Sequence, residues 1–314
     1  MKKQKKINRR EFIKKTAKYT ATIYATISNP LSLMAFTAQD REKKEPILIV
    51  AKNSYPADLV KNAIKVMGGM SRFVKRGDMV VLKPNFSFDN PPEYASTTHP
   101  DLIYEVISMC YKAGARKVKV IDRTCYARNR CLEISGIRKA VEEANGEITY
   151  LSSKRFIEVK LHRAKDLEKI SIYKDVLTAD CLINMPIAKH HAITELTLGI
   201  KNWMGVIGGD RGRLIHPNIH QKLADICTVL KPNLVIMDAT RILLRNGPSG
   251  GDLKDVKNLR TIVVGTDQVA VDSYATTFFG KIGREIEYIK NAYLMGLGEI
   301  DIKKMRIIKL DLKG

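Results

Sequence analysis

The chain has 314 residues, with 54 Lys+Arg against 33 Asp+Glu for a formal charge of +21, and 45% of it is hydrophobic. That apolar share excludes general disorder and collagen-like repeats, and the length suffices for a buried core without disulfides. Residues 1–38 alone hold nine basic side chains against Glu11, and the rest of the excess is interspersed with acids, with no RNA-binding aromatic signature and no zinc-finger spacing; nucleic acid is therefore not expected as a partner, whereas a small anionic ligand is compatible with the charge.

In chain order, the first element is a leader, Lys2-Lys-Gln-Lys-Lys-Ile-Asn8-Arg9-Arg10-Glu11-Phe12-Ile13-Lys14, followed by a mildly apolar, Thr- and Ala-rich run to about Ala38. It resembles a twin-arginine export signal at Arg9, Arg10, Phe12, Ile13 and Lys14. That resemblance implies a twin-arginine translocase as partner and a location in the periplasm or on the outer face of the cytoplasmic membrane. Lys18 inside the apolar run and Phe36 near its end are poor for cleavage, so an uncleaved anchor stays open, as does a basic amphipathic surface helix. The organisation expected is a leader and linker over 1–44 and one α/β domain over 45–314.

The folded part opens with a short apolar strand at Pro46–Ala51, and helical spacing follows from Asp58 to about Phe73. Met79–Lys83 reads as a strand and Asp101–Ala113 as a helix, with Thr98 and Asp101 as its capping box. Val118–Asp122 is a strand, about Cys131–Ala144 a helix and Glu147–Leu151 a strand; a less regular stretch then runs to about Ala179. Cys181–Met185, Leu234–Asp238 and Thr261–Gly265 are strands, Pro217–Leu230 and Gln268–Phe279 helices, and Met305–Leu310 closes the chain. Apolar strands of four or five residues alternating with amphipathic helices imply strands buried on both faces. The fold class is therefore α/β, a mainly parallel sheet with helices on both faces in an open three-layer arrangement.

Ligands of such sheets bind beyond the carboxyl ends of the strands. Polar residues recur at those ends: Lys83-Pro84-Asn85, Asp122, Asn184 with Lys189 and His190, and Asp238. Downstream, Lys201-Asn202, Gly208-Gly209, Arg211, Arg213 and His216 belong to one motif-dense stretch. Lys83, Asn85, Lys189, Asn202, Arg211 and Arg213 are the candidate substrate-binding residues, the guanidinium forks and exposed glycine amides suiting a carboxylate or phosphate. An ordinary glycine turn with exposed arginines is the alternative. His190, His216 and Lys201 are the candidate catalytic groups. His216 and His220, spaced i, i+4, with Asp238 form a candidate site for a divalent transition metal; the alternative is that His216 merely caps the helix opened by Pro217.

The stretch Met185–His216, together with Val81-Leu-Lys83-Pro84-Asn85, Asp238-Ala239, Gly247-Pro248-Ser-Gly250-Gly251, Val269-Ala-Val-Asp272, Tyr288-Ile-Lys-Asn-Ala and Gly296-Leu-Gly-Glu-Ile-Asp301, resembles the family catalogued as domain of unknown function 362. The resemblance spans about residues 47–312. Some members of that family carry ferredoxin-type iron–sulfur modules, which implies a possible iron–sulfur redox partner; this chain lacks any closely spaced Cys set, so no cluster of its own is expected. The order of His190, Gly199, Lys201 and Gly205 is also loosely similar to the region of nickel-pincer lactate racemase around its cofactor-bearing lysine, a likeness of fold alone. The favoured reading is an enzyme for a small anionic substrate, with a non-catalytic redox-accessory or binding protein as the alternative. Cys125 and Cys131 could pair or face a site.

Overall fold

The computed structural model describes residues 45–313, so the twin-arginine-like leader lies outside the described residues. The strands are β1 (Ile47–Lys52), β2 (Met79–Pro84), β3 (Lys117–Val120), β4 (Glu147–Ile148), β5 (Phe156–Lys160), β6 (Lys169–Tyr173), β7 (Cys181–Met185), β8 (Ile187–His191), β9 (Glu195–Thr197), β10 (Leu234–Leu243), β11 (Val256–Gly265) and β12 (Arg306–Asp311). The helices are α1 (Pro56–Val66), α2 (Pro100–Lys112), α3 (Arg128–Ile134), α4 (Ile137–Glu143), α5 (Lys174–Leu177), α6 (Gly199–Asn202), α7 (Arg211–Ile215), α8 (Ile219–Ile226), α9 (Gln268–Thr276) and α10 (Glu287–Leu294).

One mixed sheet runs β12-β1-β11-β10-β7-β2-β3-β4, with β8 beside β10 and β9 beside β8. Within that path only β11 is antiparallel to its neighbours, β1 and β10; the other pairings are parallel. The fold is thus α/β with a mostly parallel sheet, as the alternation of short apolar strands and amphipathic helices predicts. Both faces are buried, and the period of two shows which residue faces which side. Val80, Leu82, Cys181, Ile183 and Ile236 join the core under α1, α2 and α4, while Val81, Leu182, Val235 and Met237 join the core under α8, α9 and α10.

Several boundaries differ from the sequence reading, each for a local reason. The helix expected over Cys131–Ala144 is two helices, α3 and α4, because Gly136 at φ +72° turns the chain between them. The cap of α2 is His99, whose Nδ1 accepts from the amide of Asp101 at 3.2 Å; Thr98 is buried instead, accepting from the Asn85 amide at 2.9 Å and donating to the Met185 carbonyl at 2.7 Å. The irregular stretch before Ala179 contains the β5–β6 hairpin, a separate two-stranded antiparallel sheet. Asp225 on α8 holds the loop of that hairpin by accepting the amides of Lys165, Asp166 and Leu167 at 2.8–2.9 Å. The periodicity did not anticipate strands β8 and β9, the continuation of β10 to Leu243, the start of β11 at Val256, or helices α5, α6, α7 and α10.

Candidate functional site

The carboxyl ends of β2, β3 and β7 present a polar floor. Lys83 follows Val81 on the same face of β2 and sits in register with Asn184 of β7. It is fully buried, with Nζ 3.0 Å from Asp122 Oδ1, 2.6 Å from the Pro84 carbonyl and 3.0 Å from Asn202 Oδ1. Burial pushes this lysine below its ordinary value, and Asp122 opposes the shift. Asp122 also accepts the amides of Phe86 and Arg123 at 2.8 and 2.9 Å, so the ion pair has no spare bonding capacity turned towards solvent. Asn202 joins the strands by donating to the Lys83 carbonyl at 2.9 Å and to Asn184 Oδ1 at 2.8 Å, and Asn184 donates to the Gly199 carbonyl at 2.9 Å.

The short helix α6 lies over this floor and is bolted from above. Asp272 of α9, fully buried, accepts the amides of Gly199 and Ile200 at 2.7 and 2.8 Å. Burial pushes its carboxyl up to about 7, against those two amides, which favour the carboxylate. Trp203 donates from Nε1 to Gln268 at 2.9 Å. The next turn brings Gly205 onto the ion pair so closely that a Cβ there would overlap Asp122 Oδ1 and the end of Lys83. Only glycine fits.

Above the floor is a cavity of about 310 Å³, lined by Asn85, Ser87, Phe88, Cys125, Lys189, His191, Thr197, Lys201, Asn202, Met204, Gly205, Arg211, Gly212, His216 and Pro248. Two lysines face it without an anionic partner. Lys189 donates to the Ser96 carbonyl at 2.5 Å and to Asn85 Oδ1 at 3.3 Å, and its Nζ stands 4.6 Å from the centre of the Phe88 ring. Lys201 has one polar contact among the described residues, Met204 Sδ at 3.5 Å, and sulfur of a thioether is a weak acceptor. Burial lowers Lys189 to about 7, with Asp122 acting the other way, and lowers Lys201 to about 8, with the Cys125 thiol acting the other way and Arg211 adding to the effect. No carboxylate is among the lining residues.

His191 takes the amides of Ile193 and Thr194 on Nδ1 at 3.1 and 3.3 Å. That network leaves the proton on Nε2. Burial, then the neighbouring Lys201 and Lys189, push its pKa down to about 3, so the ring is neutral at ordinary pH. Arg211 spends its guanidinium on the carbonyls of Arg123, Thr124 and Met204 at 2.8–3.2 Å and on Cys125 Sγ at 3.3 Å. It lines the cavity while serving chiefly as a clamp on the loop after β3.

Of the expected site residues, Asn85, Lys189, Lys201, Asn202, Arg211 and His216 line the cavity, and Lys83 lies beneath it. His190 does not line it: residues 187–191 form a strand, so Lys189 and His191 share one face and His190 points to the other, where its Nδ1 accepts the Gly247 amide at 3.1 Å. Arg213 is exposed and absent from the lining. The set His216, His220 and Asp238 is not assembled. His220 Nε2 stands 3.7 Å from Glu287 on α10, with its ring stacked on Tyr288, while Asp238 is closed off by Arg241 at 2.9 Å, Thr240 and the His99 amide. Among the described residues no group of three or more His, Cys, Asp and Glu side chains is placed to hold a metal ion. Cys125 and Cys131 are both free thiols, the first exposed and the second buried. Sequence reasoning missed His191, Ser87, Phe88 and Thr197, whereas Cys125, expected to pair with Cys131 or to face a site, lines the cavity; reading 187–191 as a strand finds His191 from Lys189.

Fold and site together define the class, an α/β protein whose mostly parallel sheet carries a cationic cavity at the carboxyl ends of its strands. The chain belongs to the family described as Domain of unknown function (DUF362), whose pattern matches residues 80–277. A relative is the thylakoid-associated protein sll1697 of Synechocystis, 26% identical over 210 residues; the match covers 63% of this chain and 62% of that protein, so the chain spans less than two thirds of the relative's length. Among solved structures, the lactate racemase apoprotein from Thermoanaerobacterium thermosaccharolyticum superposes with a TM-score of 0.49 at 13% identity, covering 73% of this chain and 56% of that one. A Thermotoga maritima protein does so with a TM-score of 0.37 at 9% identity, covering 76% and 59%.

Proposed function

We propose that this protein is an enzyme acting on a small anionic molecule bound in the Lys189–Lys201 cavity. The observation that carries the proposal is the charge imbalance. Two buried lysines face one cavity that no carboxylate lines, and a buried cation without a partner is costly enough that the missing charge belongs to a ligand. A carboxylate or phosphate supplies that charge and accepts hydrogen bonds from both ammonium groups. The cavity, about 310 Å³, is at the small end of ligand sites. Asn85, whose Nδ2 keeps one N–H beyond its bond to Asn202, orients the ligand, His191 donates from Nε2, and His216, exposed at the rim, takes or gives the proton, while Asn202 is committed to the floor. The positive walls call for an anion in preference to a bare cation.

The test is thermal unfolding against a panel of phosphate, monocarboxylates, dicarboxylates and 2-oxo acids. At least one anion should raise Tm, since a ligand that binds only the native state stabilises it, and Lys201→Gln and Lys189→Gln should each shrink that rise at the same anion concentration. A flat response across the panel sinks the proposal. Export belongs to the same proposal and rests on the Arg9-Arg10 leader. Arg9→Lys with Arg10→Lys should retain the protein in the cytoplasm, since a guanidinium pair is not replaced by ammonium groups; unchanged fractionation would reject it.

A further inference from the structure

The two wall lysines differ in how their amines are held, and that difference assigns them different work. Lys189 Nζ is fixed on three sides, by the Ser96 carbonyl, Asn85 Oδ1 and the face of Phe88. Those acceptors and the ring face fix the amine in place and favour its charged form against the burial that lowers it, so it regains its proton and becomes a positioned cation when an anion enters the cavity. Lys201 Nζ has only the Met204 thioether, so its lone pair, when the proton leaves, is free to point into the cavity. Its stem is buried with the rest of α6, which Asp272 and the Trp203–Gln268 bond immobilise. The Arg211 guanidinium, itself committed to carbonyls, adds a fixed positive field that favours the neutral amine. An amine of this kind, unpaired, buried and beside other cations, is the arrangement that activates lysine as a nucleophile towards carbonyl carbon.

We propose that Lys201 captures the carbonyl carbon of a short 2-oxo acid as a Schiff base while Lys189 holds the carboxylate of the same molecule. The inference rests on the anion-binding reading and names its substrate class. The Nζ lone pair forms the new C–N bond as the carbonyl π pair moves to oxygen, which is protonated; the resulting carbinolamine loses its hydroxyl as water, with the nitrogen lone pair forming C=N, so amine and 2-oxo acid give imine and one water with no change of oxidation state. His216, at the cavity rim, is the group placed to return the proton that leaves nitrogen to the departing oxygen. Protonated, the imine draws electrons from the neighbouring carbon, which is the purpose of forming it: exchange of a C3 proton or cleavage of a bond to that carbon.

The experiment uses the full chain with pyruvate and sodium borohydride, which reduces an imine to a stable secondary amine. Intact mass should show one reduced pyruvyl adduct per chain, and peptide mapping should place it on Lys201. Lys201→Arg should lose the adduct while keeping the wild-type far-UV spectrum, and Lys189→Gln should need more pyruvate for the same yield. Trapping at Lys201 should rise with pH and level off at about pH 9, well before adducts on ordinary surface lysines, which should keep rising towards about pH 10.5. Deuterium exchange at C3 of pyruvate in heavy water should follow the same variants. If pyruvate raises Tm but no adduct forms on Lys201, or adducts scatter over surface lysines, the Schiff base is overturned and anion binding stands. If no carboxylate or phosphate raises Tm and nothing is trapped, the underlying reading fails as well.

Discussion

Two layers of the same site contain the same residue type in opposite circumstances. In the floor, Lys83 is fully buried and fully answered, with Asp122, a carbonyl and Asn202 within 3.0 Å and Gly205 sealing the pair from above. In the walls, Lys189 and Lys201 are buried almost as deeply and no carboxylate meets them. The difference separates a lysine that builds the fold from lysines that wait for a ligand. A buried pair left with one partner is strongly destabilising, whereas a lone buried cation lowers its own pKa and loses its charge. The floor is rigid for that reason, and the walls can change their charge near neutral pH.

The contrast can be broken most forcefully in the floor. Asp122→Ala should cost about 3–5 kcal/mol, because it strands the Lys83 ammonium and the Phe86 and Arg123 amides; urea unfolding would read it. Gly205→Ala should cost about 1–3 kcal/mol by forcing the ion pair apart. If either variant unfolds with the wild-type midpoint, the floor is not what holds this end of the sheet.

Wall substitutions should act in the reverse sense on stability. For Lys189 the folded value, about 7, lies below the ordinary 10.5, so between those pH values the unfolded chain binds more protons and wild-type stability rises with pH. The penalty is therefore full below pH 7 and gone above about 10.5. Lys189→Met should stabilise the ligand-free protein at pH 7 and give no advantage at pH 10.5, as chemical denaturation across that range would show. Function runs the other way, and Lys201→Gln should weaken anion binding by about tenfold or more, the value of a charge-assisted hydrogen bond being ~1.5–3 kcal/mol. The smallest effect is expected outside both layers: Arg213→Ala, on an exposed side chain away from the cavity, should change unfolding free energy by less than about 0.5 kcal/mol.

What the sequence disclosed follows the same division. Lys83, Asn85, Lys189, Lys201, Asn202 and His216 stood beside strand ends or in the glycine-rich stretch, and parallel strands deliver such residues to one side. Asp238 lies apart from the cavity because β10 does not end there but continues to Leu243 and folds the carboxylate against Arg241. His190 faces away from the cavity because residues 187–191 are extended, and one step along a strand reverses the face. His216 and His220 kept their spacing, but His216 caps the end of α7 and His220 lies one residue into α8, after Asn218 turns at φ +56°. Contacts between residues far apart in sequence, such as Gly205 on Asp122 and Lys83, leave no periodic trace and become visible only in the folded chain.

The central claim, that the wall lysines await an anion, is tested most directly by calorimetric titration of pyruvate or phosphate at pH 8 in two buffers of different ionisation enthalpy. Lys189 at about 7 and Lys201 at about 8 are partly deprotonated there, and an anion that favours their charged forms must draw protons from the buffer. The account predicts net proton uptake on binding at pH 8 that shrinks towards pH 6 and diminishes in Lys201→Gln. Binding with no uptake, or with proton release, would contradict it.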